Sequence, residues 1–340
     1  MKEKMLAAVF EGEGRLNLRK VPTPRIKRGD EVLLEIEAAS ICGTDVHILE
    51  VPPGHPATSG VVLSHEYTGK VLEIGKEVTQ FKINDRVVID PNITCGICLY
   101  CQRGMPNMCE NMTTLGIFID GGFAEYNVAP AKALHRISSQ VSAELAVFAE
   151  PLSCVLNGTP KLKVQPGESV VVLGAGPIGL LFTRLFKVSG AGEIIVSEIS
   201  PYRKRFARRS GATQVVDPGK EDLYRIVKHK THIGADVVVD AVGNLLQDAL
   251  KLTRRGGRIL LFGQNEKARA QISQNVITRC ELEIMGTYIA RFTFASTIRI
   301  IESGLLNLQE LITHRFPLEE IHKGIQAMRK GEAIKIVITP

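Results

Sequence analysis

Four cysteines fall within fifteen residues of this chain: Cys95, Cys98, Cys101 and Cys109, with gaps of two, two and seven residues. Four thiolates at such spacing complete a tetrahedral shell with no open position, so the expected ion is a structural zinc. An iron–sulfur cluster is the rival, because C-x2-C-x2-C also opens ferredoxin runs. The longer last gap and the absence of Pro after Cys109 weigh against it. The other three cysteines, Cys42, Cys154 and Cys280, stand alone. A chain of 340 residues needs no disulfides to fold, which favours metal ligation over bridging for the cluster.

A second signal is Gly174-Ala175-Gly176-Pro177-Ile178-Gly179, which follows a Val-Val-Val-Leu run and opens a helical stretch. In that context the glycines permit a tight turn and close approach of backbone to a pyrophosphate, which rests on the helix N-terminus. Glu198 ends the next apolar run, where an acid accepts the adenosine ribose hydroxyls. A bare strand–helix turn closed by a surface acid is the plain alternative. Behind Glu198 come Tyr202-Arg203-Lys204-Arg205 and Arg208-Arg209, read either as a solvated helix face or with Arg203 against the adenine. The arginines suit a 2′-phosphate and Glu198 repels one, so the expected cofactor is NAD and not NADP.

Cys42, the His65-Glu66 pair and Glu150 are the remaining candidate ligands. Singly, each has an ordinary reading: a small buried residue, a satisfied ring, an acid at a helix start.

The elements around these residues change character along the chain. Before about residue 150, Val- and Ile-rich runs at 31–40, 61–75 and 85–90 are bounded by turn residues, which predicts a mostly-β, loop-rich domain. From about 153, continuous apolar runs such as ADVVVDAVG and GGRILLFG alternate with helix-length stretches. Such runs predict strands covered on both faces, in a doubly wound parallel sheet of α/β class. The expected divisions are 1–152, with the cysteine lobe at about 90–112, then 153–289, and a C-terminal segment 290–340.

Composition is that of an ordinary folded chain, 44% hydrophobic and 23% charged. Trp is absent, aromatics are 5%, and the net charge is only +6, which excludes a base-stacking or strongly basic nucleic-acid binder. Only Arg103 is positive within the cysteine lobe. No uncharged apolar run reaches the ~18 residues of a membrane helix, and the N-terminus breaks into acidic residues too early for a signal peptide. The expected setting is cytoplasmic, with no membrane partner.

Taken together, ICGTDVH (41–47), SHEYTG (64–69), CGICLYCQRGMPNMC (95–109), GGFAEY (121–126), FAEPLS (148–153) and GAGPIG (174–179) resemble the zinc-dependent medium-chain dehydrogenase/reductase superfamily. FAEPLS is most similar to the sorbitol and polyol branch. ITHRFPLEEIHKGIQAM, with Thr44 and His47, is also similar to L-threonine 3-dehydrogenases. The resemblance implies a GroES-like catalytic domain beside a Rossmann domain, two zinc ions per chain, NAD and a homo-oligomer. It implies that Cys42, His65 and Glu150 hold a catalytic zinc, which Glu66 approaches during ligand exchange. Cys95, Cys98, Cys101 and Cys109 match the structural zinc. Gly174, Gly176, Ile178, Gly179, Glu198 and Arg203 match the NAD contacts.

Thr44 and His47 match a relay that carries the substrate hydroxyl proton to solvent. The two-residue step from Cys42 to Thr44 is expected to put both side chains on one side of an extended segment. Two departures stand out: Ser64 where the family usually has Gly, and Glu198 where Asp is commoner. The expected reaction is oxidation of a secondary alcohol of a polyol or sugar to a ketone, with L-threonine or 2,3-butanediol as the alternative substrates.

Overall fold

The apolar runs after residue 153 form a six-stranded sheet in the computed structural model, which describes residues 2–340. The strands lie in the order Gln214–Val216, Glu193–Ser197, Ser169–Leu173, Ala235–Asp240, Thr253–Leu261 and Glu283–Gly286, every pair parallel. Val170, Val171, Val172 and Leu173 are fully buried, as expected of a central strand with helices on both faces. Strand order reverses beside Ser169–Leu173, and the Gly174–Gly179 turn leaves the carboxyl end of that strand. In an open α/β sheet this is the position where ligands bind. With its helices this sheet makes up one compact unit, Cys154–Ile289.

The other unit, Met1–Ser153 with Ala290–Pro340, is mostly β. Its main sheet has seven strands, built around Glu31–Ile41, which pairs with Tyr67–Ile74, Tyr126–Pro130 and Lys335–Thr339. This pairing assembles the metal-ligand candidates. Ala39 lies opposite Tyr67, and the Ser40 N–H donates to the Glu66 carbonyl at 2.8 Å, so His65 and Glu66 stop beside the end of the strand that leads into Cys42. On the other side Ile336 lies opposite Ile41, which brings Lys335 to the same end from nearly 300 residues away.

The C-terminal segment is bound into this unit by specific contacts. The Phe294 ring stacks on His135 at 4.8 Å, Thr293 Oγ1 donates to the Ser153 carbonyl at 2.8 Å, and Arg291 Nε donates to the Gly104 carbonyl at 2.8 Å. His135, which shows no partner in the sequence, is thus a packed ring whose pKa burial lowers. Among the described residues, no helix is long and apolar enough to cross a membrane.

Phe182, on the helix Pro177–Val188, is fully buried in the Cys154–Ile289 unit, against Phe186 and edge-on to Phe262 at 5.2 Å. Truncating a ring buried in this way removes its transfer energy and leaves a cavity, so Phe182→Ala should cost about 3–5 kcal/mol. Urea unfolding followed by circular dichroism reads this directly. A loss below about 1 kcal/mol would show that the core closes over the gap.

Candidate metal and dinucleotide sites

Cys42, His65 and Glu66 each offer a ligand atom, and the three atoms lie within 4.8 Å of one another. Cys42 precedes a short helix, Gly43–Ile48, and donates its backbone N–H to Asp45 Oδ2 at 2.8 Å. The segment is therefore helical and not extended as its sequence suggested, because the Asp45 carboxylate caps the first turn. Thr44 still reaches back, with its Oγ1 at 3.7 Å from Cys42 Sγ. His47 is three residues further on the helix, on the same face as Thr44. Its Nδ1 pairs with Glu50 Oε1 at 2.8 Å, and its side chain is 56% exposed.

Around the ligand candidates the charged groups are buried together. Asp45, His65, Glu66 and Lys335 are each at most 6% exposed. Burial pushes the Asp45 carboxyl up to about 6. For Glu66 burial acts in the same sense, but the positive charges of Lys335 and His65, with hydrogen bonds from Lys335 and Ser40, hold it below the usual carboxylate range. Burial works to lower His65, and the neighbouring Cys42, Asp45 and Glu150 charges overcome it, so His65 ends well above the ordinary imidazole value. Burial, with the Glu66 charge, raises the Cys42 thiol. His65 Nδ1 is buried without a hydrogen-bond partner, 4.0 Å from Asp45 Oδ1. A sulfur, a ring nitrogen and a carboxylate converging in this way, with a second carboxylate behind the ring, fit an ion with borderline ligand preference such as zinc.

Glu150, in the first turn of helix Ala149–Leu162, is 9% exposed and acts on His65 through its charge. It stands outside the group whose donor atoms share the 4.8 Å radius; Glu66 is inside it. Ser64, which replaces the usual glycine, has φ +76°, in the left-handed region that favours glycine. Its carbonyl is walled in, since a Cβ at Gly116 or Gly121 would lie 2.0 or 2.1 Å from it. The backbone path to His65 is set by this crowding, and Ser64 carries the strain.

The thiols of Cys95, Cys98, Cys101 and Cys109 also lie within 4.8 Å of one another. Sulfurs about 2.3 Å from one tetrahedral ion are about 3.8 Å apart, whereas a cluster with sulfide between its irons holds its thiolates further apart. The spacing fits a single ion. Backbone N–H groups already serve the sulfurs: Cys98 N–H donates to Cys95 Sγ at 3.3 Å, and Cys95 N–H to Cys109 Sγ at 3.3 Å. Donors from Ile97 and Cys98 pull the Cys95 thiol down to about 6, whereas burial pushes Cys101 up to about 12.

At the dinucleotide turn each glycine has a separate steric reason. A Cβ at Gly179 would lie 1.9 Å from the Gly174 carbonyl oxygen, and Gly174 itself has φ +95°. Above Gly176 the space is open; the nearest protein atom to a Cβ there is Arg203 Nη1, at 4.0 Å. That opening lies at the N-terminus of a twelve-residue helix, a fit for a pyrophosphate. Glu198 accepts the Ala175 and Ser200 N–H groups, both at 2.8 Å, and Arg203 Nε is buried without a hydrogen-bond partner.

Residues 28–139 match the alcohol dehydrogenase GroES-like domain, and residues 177–303 match the zinc-binding dehydrogenase domain. An L-threonine 3-dehydrogenase of Caldanaerobacter subterraneus is 37% identical, over 92% of both chains. The Bacillus subtilis sorbitol dehydrogenase is 30% identical, over 99% of this chain and 98% of its own. A structure described as a zinc-binding dehydrogenase of Sinorhizobium meliloti, with NADP bound, superposes with a TM-score of 0.94 at 32% identity over the whole of both chains. The chain belongs to the zinc-binding alcohol dehydrogenase family.

This dehydrogenase therefore combines a GroES-like unit with a Rossmann unit, and its family chemistry joins zinc to a nicotinamide dinucleotide. The sequence alone did not point to three residues at the candidate metal site, Ser40, Asp45 and Lys335, nor to Glu50 beside His47. Gly179→Ala tests the turn: the new methyl has to displace the Gly174 carbonyl, so NADH affinity measured by fluorescence titration should fall at least about tenfold, or about 1.4 kcal/mol. Unchanged affinity would mean that the helix shifts without disturbing the cofactor.

Proposed function

We propose that this dehydrogenase oxidises a secondary alcohol of a polyol or sugar to a ketone, passing the hydride to NAD. The observation that carries the reading is the convergence of Cys42, His65 and Glu66 within 4.8 Å, beside the Thr44 hydroxyl. Cys42, His65 and Glu150 would hold a catalytic zinc, with Glu66 alongside, and the four thiols of the lobe a structural one. A zinc ion in such a shell supplies a Lewis acid that lowers the pKa of a hydroxyl by several units.

The chain's own groups handle the proton and the ligand geometry. Thr44 Oγ1 accepts the substrate proton and passes its own along the helix face to His47, which opens to solvent. Asp45 stands behind His65, its Oδ1 4.0 Å from Nδ1, as a carboxylate on the far side of the ring from the other ligand candidates would. Backbone N–H groups at the Gly174–Gly179 turn take the cofactor pyrophosphate, and Glu198 takes the adenosine ribose. Among the described residues none of the seven cysteines forms a disulfide, which supports a reducing, cytoplasmic compartment.

The sorbitol dehydrogenase relative and the carboxylate-rich surroundings of the site support a polyol. A vicinal diol can use the coordination freedom that hard oxygen donors allow. The second reading is oxidation of L-threonine or 2,3-butanediol, favoured by the 37% identical threonine dehydrogenase. Initial rates with sorbitol, xylitol, inositols, L-threonine and 2,3-butanediol separate the two. The polyol reading expects turnover on at least one polyol or sugar, and its absence across the panel overturns it. Glu150→Ala should lower turnover by more than about a hundredfold, beyond the range of an outer-shell partner, and remove zinc from one site. Unchanged metal content and rate would assign the carboxylate position to Glu66.

For the cofactor, the buried Glu198 charge supports NAD, since a 2′-phosphate would meet it directly. Specificity constants should favour NAD over NADP by at least about tenfold, or about 1.4 kcal/mol. Equal constants would show that Arg203 neutralises the 2′-phosphate despite Glu198.

A further inference from the structure

A lysine within an otherwise apolar strand is the least expected residue in the GroES-like unit. Lys335 opens the strand Lys335–Thr339, whose next three residues are Ile, Val and Ile, and it is 2% exposed. An ammonium buried so completely needs a counter-charge. Its Nζ is bonded to Glu66 Oε2 and stands 5.5 Å over the Phe148 ring. The Ser40 hydroxyl donates to the same oxygen. Both bonds fall on Oε2, and neither takes Oε1.

We propose that Lys335, assisted by Ser40, is a positioning residue that tethers the Glu66 carboxylate and keeps it from closing permanently on the metal. Two effects follow from this placement, and they act in the same direction. A fixed cation beside a dication weakens the hold on the ion. A carboxylate bonded at Oε2 competes less well for the coordination position that a substrate needs. The tether thus trades metal retention for an exchangeable position, and Glu66 acts as a held ligand whose release Lys335 sets. A plain core ion pair would have the opposite signature, because its loss loosens the site and lets metal escape.

The inference rests on the proposed ion at Cys42 and His65, so metal content of the wild-type protein is the first measurement. A single zinc per chain, removed by mutation of the lobe thiols, would overturn both that reading and this one. With two zincs present, Lys335→Met keeps side-chain length and removes the charge. Zinc transfer from the catalytic site to a colorimetric chelator should slow by about tenfold or more, and kcat should fall by a similar factor, the scale of outer-shell effects at metal sites. In the cobalt-substituted protein the visible d–d absorption should weaken as coordination number rises. Lys335→Arg should restore all three readouts, and adding Glu66→Gln to Lys335→Met should abolish the slowing.

Faster zinc loss, or an unchanged rate and cobalt spectrum, overturns the tether. If Lys335→Met does not fold, Ser40→Ala removes the other bond to Oε2. It should move zinc transfer and the cobalt spectrum in the same direction by a smaller factor, and wild-type behaviour in Ser40→Ala then overturns the proposal.

Discussion

The candidate metal site depends on burying several charges in one place. Asp45, His65, Glu66 and Lys335 are all withdrawn from water, and none could be so placed alone. Removing one partner from a buried pair costs about 3–5 kcal/mol, because the other charge stays behind uncompensated. The group is therefore held as a set. Glu66 needs Lys335, His65 stands among Cys42, Asp45 and Glu150, and Asp45 also caps the helix that starts after Cys42. The sheet supplies the means, since three strands end together at this point. A register slip of one residue in Glu31–Ile41 or Lys335–Thr339 would turn Ser40 or Lys335 to the opposite face and leave Glu66 unpaired.

The dinucleotide turn obeys a different constraint. Its three glycines keep side chains out: Gly179 because helix and turn touch, Gly174 because of its positive φ, and Gly176 because the space above it is left open. Electrostatics enter only at the margins, through the helix N-terminus, Glu198 and Arg203. One site is thus specified by charges that must find one another across the chain, the other by local backbone geometry. A short motif is enough to encode the second, and it cannot encode the first.

That difference explains what the sequence makes legible. The fold class follows from apolar run lengths, since Val170–Leu173 and Ala235–Asp240 read as strands covered on both faces and are so. The lobe and the glycine turn are contiguous in the chain, so their spacing is visible directly. Lys335 was invisible because it lies nearly 300 residues from Ser40, and only the strand register joins them. A signal was nevertheless present. A lysine in AIKIVI, otherwise continuous apolar strand, must be buried and must have an acid beside it. The helical start at Gly43 was missed for another reason: six residues containing Gly, Thr, Val and Ile carry poor helix propensity, and the Asp45 cap, with tertiary packing, decides the matter.

Ser64 shows how a departure from pattern is absorbed. A non-glycine residue in the left-handed region costs about 1–2 kcal/mol, and here the hydroxyl gives little back, since its contacts to the Ser40 and Glu66 carbonyls are both 3.4 Å. What holds the conformation is the neighbouring backbone. The Gly122 N–H donates to the Ser64 carbonyl at 2.9 Å, and the Gly116 and Gly121 backbones close around the same group. The strain is confined to one residue because glycine has been kept at the two positions that touch it. Relocating the burden to 116 or 121 would force a side chain into the Ser64 carbonyl itself, and with it displace His65. Glycine is therefore more firmly required at 116 and 121 than at 64, although only the third of these positions adjoins a candidate ligand in the sequence.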